Sequence, residues 1–196
     1  ASAREGIIYG YEKWIIYTPN GASEPVIGTV DGARQAGELI ADFAAGTCGF
    51  LTSALNALNP QADTIEKRDK YRSSVYGIEK KPMPYLLGIT NLLLHGIDAP
   101  KFFHGNSLER DVRELEDDDK FDIILMNPPY GGTEQKIIQS NFPAEMRSSE
   151  TADLFMAMAT YRLKRGGRAA IIIPDGFLFG TDAPKTAIKK RLIEDF

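Results

Sequence analysis

Asn127-Pro128-Pro129-Tyr130 is the stretch whose residue types could do chemistry. The Asn127 carboxamide oxygen and the Pro128 carbonyl are two hydrogen-bond acceptors close together, and the Tyr130 ring offers a flat apolar face. Such a set suits a planar group carrying an exocyclic amine: the oxygens accept its N–H bonds while the ring stacks on it. An adenine turned out of its helix is one such group. The bland alternative is that Pro128 and Pro129 only end a strand and Tyr130 is a half-buried ring.

A tetrapeptide of this kind needs a stiff mount. Residues 121–126 form a short, continuous apolar run, β-branched at its centre, which suits a strand buried on both faces of a parallel sheet. The strand must stop at Asn127, because Pro128 and Pro129 cannot donate ladder hydrogen bonds and bias the preceding residue towards extended dihedrals. Four further strands are expected at 39–43, 75–79, around Phe102-Phe103, and at 168–174. The first leads into a loop of small residues (44–49) and a helix (50–58), a pattern that sets backbone N–H groups and a helix N-terminus beside a cofactor in doubly wound folds. Residues 61–72 read as a polar surface excursion, 111–120 as an acidic surface segment and 133–151 as a polar loop. Helices are expected over 84–95, with Leu86, Leu87, Leu93 and Leu94 as the apolar face; over 152–164, amphipathic and stopped by Gly166-Gly167; and from Asp182 to Phe196, with Asp182 as N-cap and Pro184 in the first turn.

Strands separated by helices argue for an α/β, doubly wound, mostly parallel sheet. Asp42, Glu79, Asn106, Asn127 and Asp175 all fall at or just past the carboxyl ends of their strands, the edge where open α/β sheets bind ligands. The bland reading of Glu79 is a solvated strand-end carboxylate. Residues 1–38 read as a loop-rich lead-in holding one short extended segment, Tyr17-Thr18-Pro19.

The chain has 196 residues, 43% of them hydrophobic and 26% charged, as in ordinary soluble globular proteins. No apolar run approaches the roughly 20 residues that span a bilayer, and the first residues lack a signal-peptide layout, so a cytoplasmic setting is expected. One cysteine, Cys48, forms no internal disulfide, and two scattered histidines make no metal cluster, so no metal is expected. The net charge is −4, and five acids crowd residues 114–120. A chain that held nucleic acid unaided would present a basic face, so with a DNA substrate much of the grip is expected from residues beyond this sequence or from a partner.

With these residues in hand, the sequence resembles the modification (methyltransferase) subunits of type I restriction-modification systems. These are adenine-N6 DNA methyltransferases that use S-adenosyl-L-methionine. The resemblance covers about residues 39–196. It rests on Ala41-Asp42-Phe43-Ala44 with Gly46-Thr47 and Gly49-Phe50-Leu51, on Tyr76-Gly77-Ile78-Glu79, and on His104-Gly105-Asn106-Ser107-Leu108. Asn127-Pro128-Pro129-Tyr130-Gly131-Gly132, Asp153-Leu154-Phe155 and Pro174-Asp175-Gly176-Phe177-Leu178-Phe179 complete it.

The resemblance implies a Rossmann-like methyltransferase sheet, a catalytic domain over 39–196 after the 1–38 lead-in, and a chain that stops before the last strands of such a sheet. It assigns catalysis to Asn127, Pro128, Pro129 and Tyr130. It assigns the cofactor to Tyr17, Thr18, Pro19 and Asn20, to the loop of Asp42, Ala44, Gly46, Thr47, Cys48, Gly49 and Phe50, to Glu79 at the ribose hydroxyls, and to Asn106 and Ser107 near the cofactor's adenine. Implied partners are DNA and the specificity and restriction subunits of the same system. Cys48 stands where the family usually has glycine; either the turn is left-handed there, or it lies at negative φ and accepts a small side chain. The competing reading is a non-catalytic scaffold of the same fold with weak cofactor binding. Enzymes that methylate glutamine in proteins or guanine in ribosomal RNA share the tetrapeptide.

Overall fold

The computed structural model describes residues 12–15 and 38–195. Six strands form one sheet: β1 (Glu12–Ile15), β2 (Ile40–Asp42), β3 (Val75–Glu79), β4 (Lys101–His104), β5 (Phe121–Met126) and β6 (Leu163–Pro174). Their spatial order is β1-β6-β5-β2-β3-β4. β2 to β6 run parallel, and β1 pairs antiparallel with β6 at one edge. The chain moves outward from β2 through β3 to β4, then returns to β5 on the other side of β2. That reversal opens a crevice at the carboxyl ends of β2 and β5, the switch point of a doubly wound sheet.

The described residues hold seven α-helices, five between strands and the last two after β6: α1 (Gly49–Leu58), α2 (Ile65–Ser73), α3 (Pro82–Leu94), α4 (Lys136–Gln139), α5 (Thr151–Arg162), α6 (Asp175–Phe179) and α7 (Ala183–Glu194). None of them is long and apolar enough to cross a membrane. The strand period of two divides the core between the faces. Ile123 and Leu125 point into one cluster with Ile40, Leu51, Leu55 and Phe102. Ile124 and Met126 point into the other with Ala41, Leu154, Met158 and Ile173. From Ile123 to Met126 both faces of β5 are therefore dry, which is why that stretch is continuously apolar and does not alternate.

The elements depart from the sequence reading in several places. The stretch 61–72, expected to be a surface excursion, holds most of α2, whose Thr64 N-cap accepts from Lys67 N at 3.1 Å and whose residues are polar apart from exposed Ile65 and buried Tyr71. On α3 the four leucines do not face the core. Leu86 and Leu94 are 60% and 81% exposed, while Gly88 and Leu92 are buried. The cause is Gly88: a Cβ there would lie 2.6 Å from the Phe102 ring and 2.9 Å from Cys48 Sγ, so the helix docks through its bare backbone and turns the leucines outward.

The expected amphipathic helix, α5, is buried on every side, including Asp153 and Arg162, because the sheet, α7 and the turn at Val112–Glu114 all pack on it. It ends at Arg162, before the Gly166-Gly167 stop. Leu163 already pairs with Phe121, Lys164 Nζ bonds Asp122 Oδ2 at 2.9 Å, and Gly166 at φ 76 absorbs an irregularity inside β6. Finally, β1 is a strand inside the stretch expected to be loop-rich. The N-cap at Asp182 is as expected: its carboxylate accepts from Lys185 N at 3.2 Å.

Candidate functional site

The switch-point crevice is a cleft of about 610 Å³. Glu79 and Asn106, from the ends of β3 and β4, line one wall with Ala44, Gly46 and Ser107; Asn127, Pro129 and Tyr130, beyond β5, line the other. The expected residues that reach the cleft thus come from four different strands, which the reversal of winding brings together.

On the first wall, short local bonds fix the carboxylates. Asp42, the last residue of β2, is 1% exposed, and its Oδ1 accepts from Ala44 N at 2.9 Å. Burial pushes its carboxyl up to about 7; the Ala44 amide works against that shift and the nearby Glu79 charge adds to it. Glu79 is not a solvated strand end. It is 9% exposed and accepts from Gly46 N at 2.8 Å and from Lys81 N at 2.7 Å, so it closes the 44–49 loop onto the end of β3. The loop makes this contact by two left-handed residues, Gly46 at φ 54 and Cys48 at φ 65.

The left-handed alternative for Cys48 therefore holds, and a side chain in that region costs roughly 1–2 kcal/mol. The cysteine is fully buried, with its sulfur against the bare Gly88 of α3. Burial and the Asp42 and Glu79 charges raise its thiol to about 12, so it is no nucleophile. Asn91 of α3 ties the same loop by donating to the Thr47 carbonyl at 2.9 Å. A Cβ at Gly46 would meet nothing within 4 Å, so the backbone there faces open space in the cleft. The donor set suits a nucleoside joined to an amino acid: an acceptor-only carboxylate, Glu79, for hydroxyl groups and a closely approachable backbone at Gly46. Asp42, Thr47, Cys48, Gly49 and Phe50 lie behind this wall, and they and Pro128 do not line the cleft.

The second wall starts at Asn127, exposed directly after buried Met126. Pro128 is buried and anchors the turn; Pro129 and Tyr130 are exposed. The Tyr130 hydroxyl donates to Asn127 Oδ1 at 2.9 Å, so the acceptor that an amine would need is already engaged by the neighbouring ring. Beyond Gly131 at φ 69 the wall continues through Gly132 to Glu134, whose carboxylate receives Lys80 Nζ at 2.8 Å and links the ends of β3 and β5 at the rim. Ser107, beyond β4, donates to the Phe43 carbonyl at 2.5 Å. Asn106 Oδ1 caps its own turn by accepting from Leu108 N at 3.2 Å.

Sequence reasoning missed Phe43, Lys80, Lys81, Pro84, Gly131, Gly132, Thr133, Glu134, Thr151 and Phe155 as cleft residues. Phe43, Gly131, Gly132 and Phe155 had a signal, since they lie inside motifs already singled out; the others follow from how the fold brings separate segments together. Asp175 follows β6 at the same edge but does not line the cleft. Tyr17, Thr18, Pro19 and Asn20 lie outside the described residues.

A family model described as N-6 DNA Methylase matches residues 10–196. The methylase subunit of the type I restriction enzyme EcoEI from Escherichia coli is 42% identical over 181 residues, which are 91% of this chain and 36% of that protein. The StySPI methylase subunit from Salmonella potsdam is 30% identical over 172 residues, 80% of this chain and 31% of that one. Among solved structures, a chain from a study of type I R-M complex assembly superposes with a TM-score of 0.77 at 37% identity, covering 91% of this chain and 36% of that one. The M protein of the type I restriction enzyme EcoKI gives 0.72 at 26% identity, covering 89% and 38%. The chain thus spans about a third of the length of the relatives it matches.

Proposed function

We propose, for a chain that belongs to the N-6 DNA methylase family, that this cleft transfers a methyl group from S-adenosyl-L-methionine to N6 of adenine in DNA, within a type I restriction-modification assembly. Family membership implies that cofactor, and the first wall suits it. The observation that carries the reading is the joint placement of Glu79 and Asn127 on opposite walls of one cleft. In this reading Glu79 accepts from the ribose hydroxyls, Asp42 and the 44–49 loop hold the amino-acid end, and Asn106 and Ser107 lie towards the cofactor's adenine. Tyr17, Thr18, Pro19 and Asn20 belong to the same site. Residues 39–196 serve as the catalytic domain and 1–38 as its lead-in, which contributes β1 to the sheet.

S-adenosyl-L-methionine supplies a methyl group already activated on a sulfonium, so the protein needs no nucleophile of its own. Asn127 Oδ1 and the Pro128 carbonyl accept the two N–H bonds of the target amine, and both acceptors favour the nitrogen as it becomes tetrahedral. Pro129 stiffens the turn. Tyr130 stacks on the base; as the amine arrives, the Tyr130 hydroxyl gives up Asn127 Oδ1 to it. The net charge of −4 leaves DNA binding and target choice to a specificity subunit, with the restriction subunit as a further partner.

Calorimetry with S-adenosyl-L-methionine, followed by methyl transfer to DNA by the chain assembled with a specificity subunit, tests this reading. One-to-one cofactor binding and methylated adenine are expected. Absent cofactor binding would leave the scaffold reading, and transfer to a glutamine-containing peptide in place of DNA would move the enzyme to another substrate class.

A further inference from the structure

The Asn127 wall is mounted on a part of the molecule remote in sequence. Segment 148–151 runs beside it: Thr151 N donates to Gly132 O at 3.0 Å, Glu134 N donates to Ser149 O at 3.0 Å, and Thr133 and Glu150 form an antiparallel bridge. Thr151 Oγ1 sits 2.9 Å from where a Gly132 Cβ would be, so the two segments fit only because residue 132 is glycine. Segment 148–151 is held in turn. Glu150 N donates to Ser148 Oγ at 3.1 Å, and Ser148 Oγ donates to Asp153 Oδ2 at 2.7 Å.

At the centre of this arrangement is a single buried amine. Lys185, on the first turn of α7, has a side chain 6% exposed, with Nζ 3.0 Å from Glu150, 3.0 Å from Asp153 and 3.1 Å from Asp182. Burial opposes its charge, but the hydrogen bonds to the three carboxylates outweigh burial and hold the ammonium above its ordinary pKa. Asp153 is 1% exposed, so without Lys185 a buried carboxylate would keep one hydroxyl partner and no counter-charge.

We propose that Lys185 is a positioning residue for the target-binding wall: by gathering Glu150, Asp153 and Asp182 it fixes segment 148–151, and through it the loop from Asn127 to Glu134. The inference rests on the reading of the cleft given above. The bonds that fix the cofactor wall, from Ala44 N to Asp42 and from Gly46 N and Lys81 N to Glu79, include no member of this network. Removing Lys185 therefore loosens one wall and spares the other, a pattern that a general loss of stability does not produce.

Amide hydrogen exchange on the full chain, wild type against Lys185→Met, reads the pattern directly. Exchange at Glu134 and Thr151 is expected to quicken about tenfold or more, while Ala44, Gly46 and Lys81 stay unchanged. Equal acceleration at both walls, or none at either, overturns the proposal. Should Lys185→Met fail to fold, Glu150→Gln keeps the Lys185–Asp153 contact and is expected to show the same one-sided pattern at smaller amplitude; uniform or absent change there overturns it equally. In the assembled methyltransferase, Lys185→Met is expected to lower kcat about tenfold with cofactor Kd within twofold of wild type. A wild-type assembly that methylates no adenine would overturn the proposed function, and the exchange pattern would still decide the role of Lys185.

Discussion

The two walls of the cleft are built on opposite plans. The cofactor wall is fixed by its own buried carboxylates: Asp42 accepts from Ala44 N, and Glu79, brought in from β3, accepts from Gly46 N. The target wall presents exposed Asn127 and Tyr130 and is held by backbone bonds to segment 148–151. On the proposed reading, the difference follows from what each wall meets. A small, flexible ligand selects a site that is already formed, whereas a base drawn from a helix needs groups that can make way as it enters. The engaged Asn127 acceptor shows the second plan, since the Tyr130 hydroxyl satisfies it until something better arrives.

Separate walls should fail separately. The largest effect is expected from Asn127→Ala, which removes an acceptor needed chiefly as the amine attacks: kcat for methyl transfer should fall by about 10²–10³-fold. Cofactor affinity should stay within a few-fold. Turnover like wild type in that variant would remove Asn127 from its role, and a matching loss of cofactor binding would show that the walls are coupled. On the other wall, Glu79→Gln turns an acceptor-only group towards hydroxyl donors with an amide. A charged hydrogen bond contributes about 1.5–3 kcal/mol, so a loss of about 10- to 100-fold in cofactor affinity is expected by calorimetry. If affinity is unchanged, the ribose lies elsewhere.

Asp42 gives the comparison a pH axis. Its folded pKa, about 7, lies above the ordinary carboxylate value of 3.8, so the folded chain binds the extra proton between those limits. The stability that this proton contributes is complete below about pH 4 and is lost as pH rises through about 7. Asp42→Asn has no such proton to lose. Thermal melts without cofactor should therefore show the variant gaining on wild type between pH 5 and pH 8; a constant gap would mean that Asp42 does not titrate there.

The smallest effect is expected from Cys48→Gly. The folded chain already holds Cys48 at φ 65, so relief of about 1–2 kcal/mol should appear in melting temperature, opposed by the sulfur packing lost against Gly88. Cofactor affinity should move less than threefold. A gain near tenfold would show that the occupied loop needs a closer backbone approach than cysteine permits.

What the sequence shows and hides follows the same division. β2, β3 and β5, with their terminal Asp42, Glu79 and Asn127, are legible because strand length, flanking prolines and strand-end polarity are local properties. The burial of the helices is not. The α3 leucines look like a core face until Phe102 and Cys48 are seen to claim Gly88, and α5 looks half-exposed until α7 covers it. The hold on the target wall is hidden for the same reason: nothing near Asn127 in sequence points to Lys185, whose meaning lies in three carboxylates gathered by the fold.

Asp42 carries one more consequence, thermochemical in kind. A carboxyl that titrates near neutrality beneath the cleft carries a proton for part of the time, and on the proposed reading a cofactor ammonium brought near it would displace that proton. Occupancy then releases that proton to the solution, and the medium takes part in the reaction. The heat recorded on titrating cofactor into the chain near pH 7 should differ between phosphate and Tris by the difference in their ionisation enthalpies, scaled by the fraction of Asp42 protonated. The difference should vanish in Asp42→Asn.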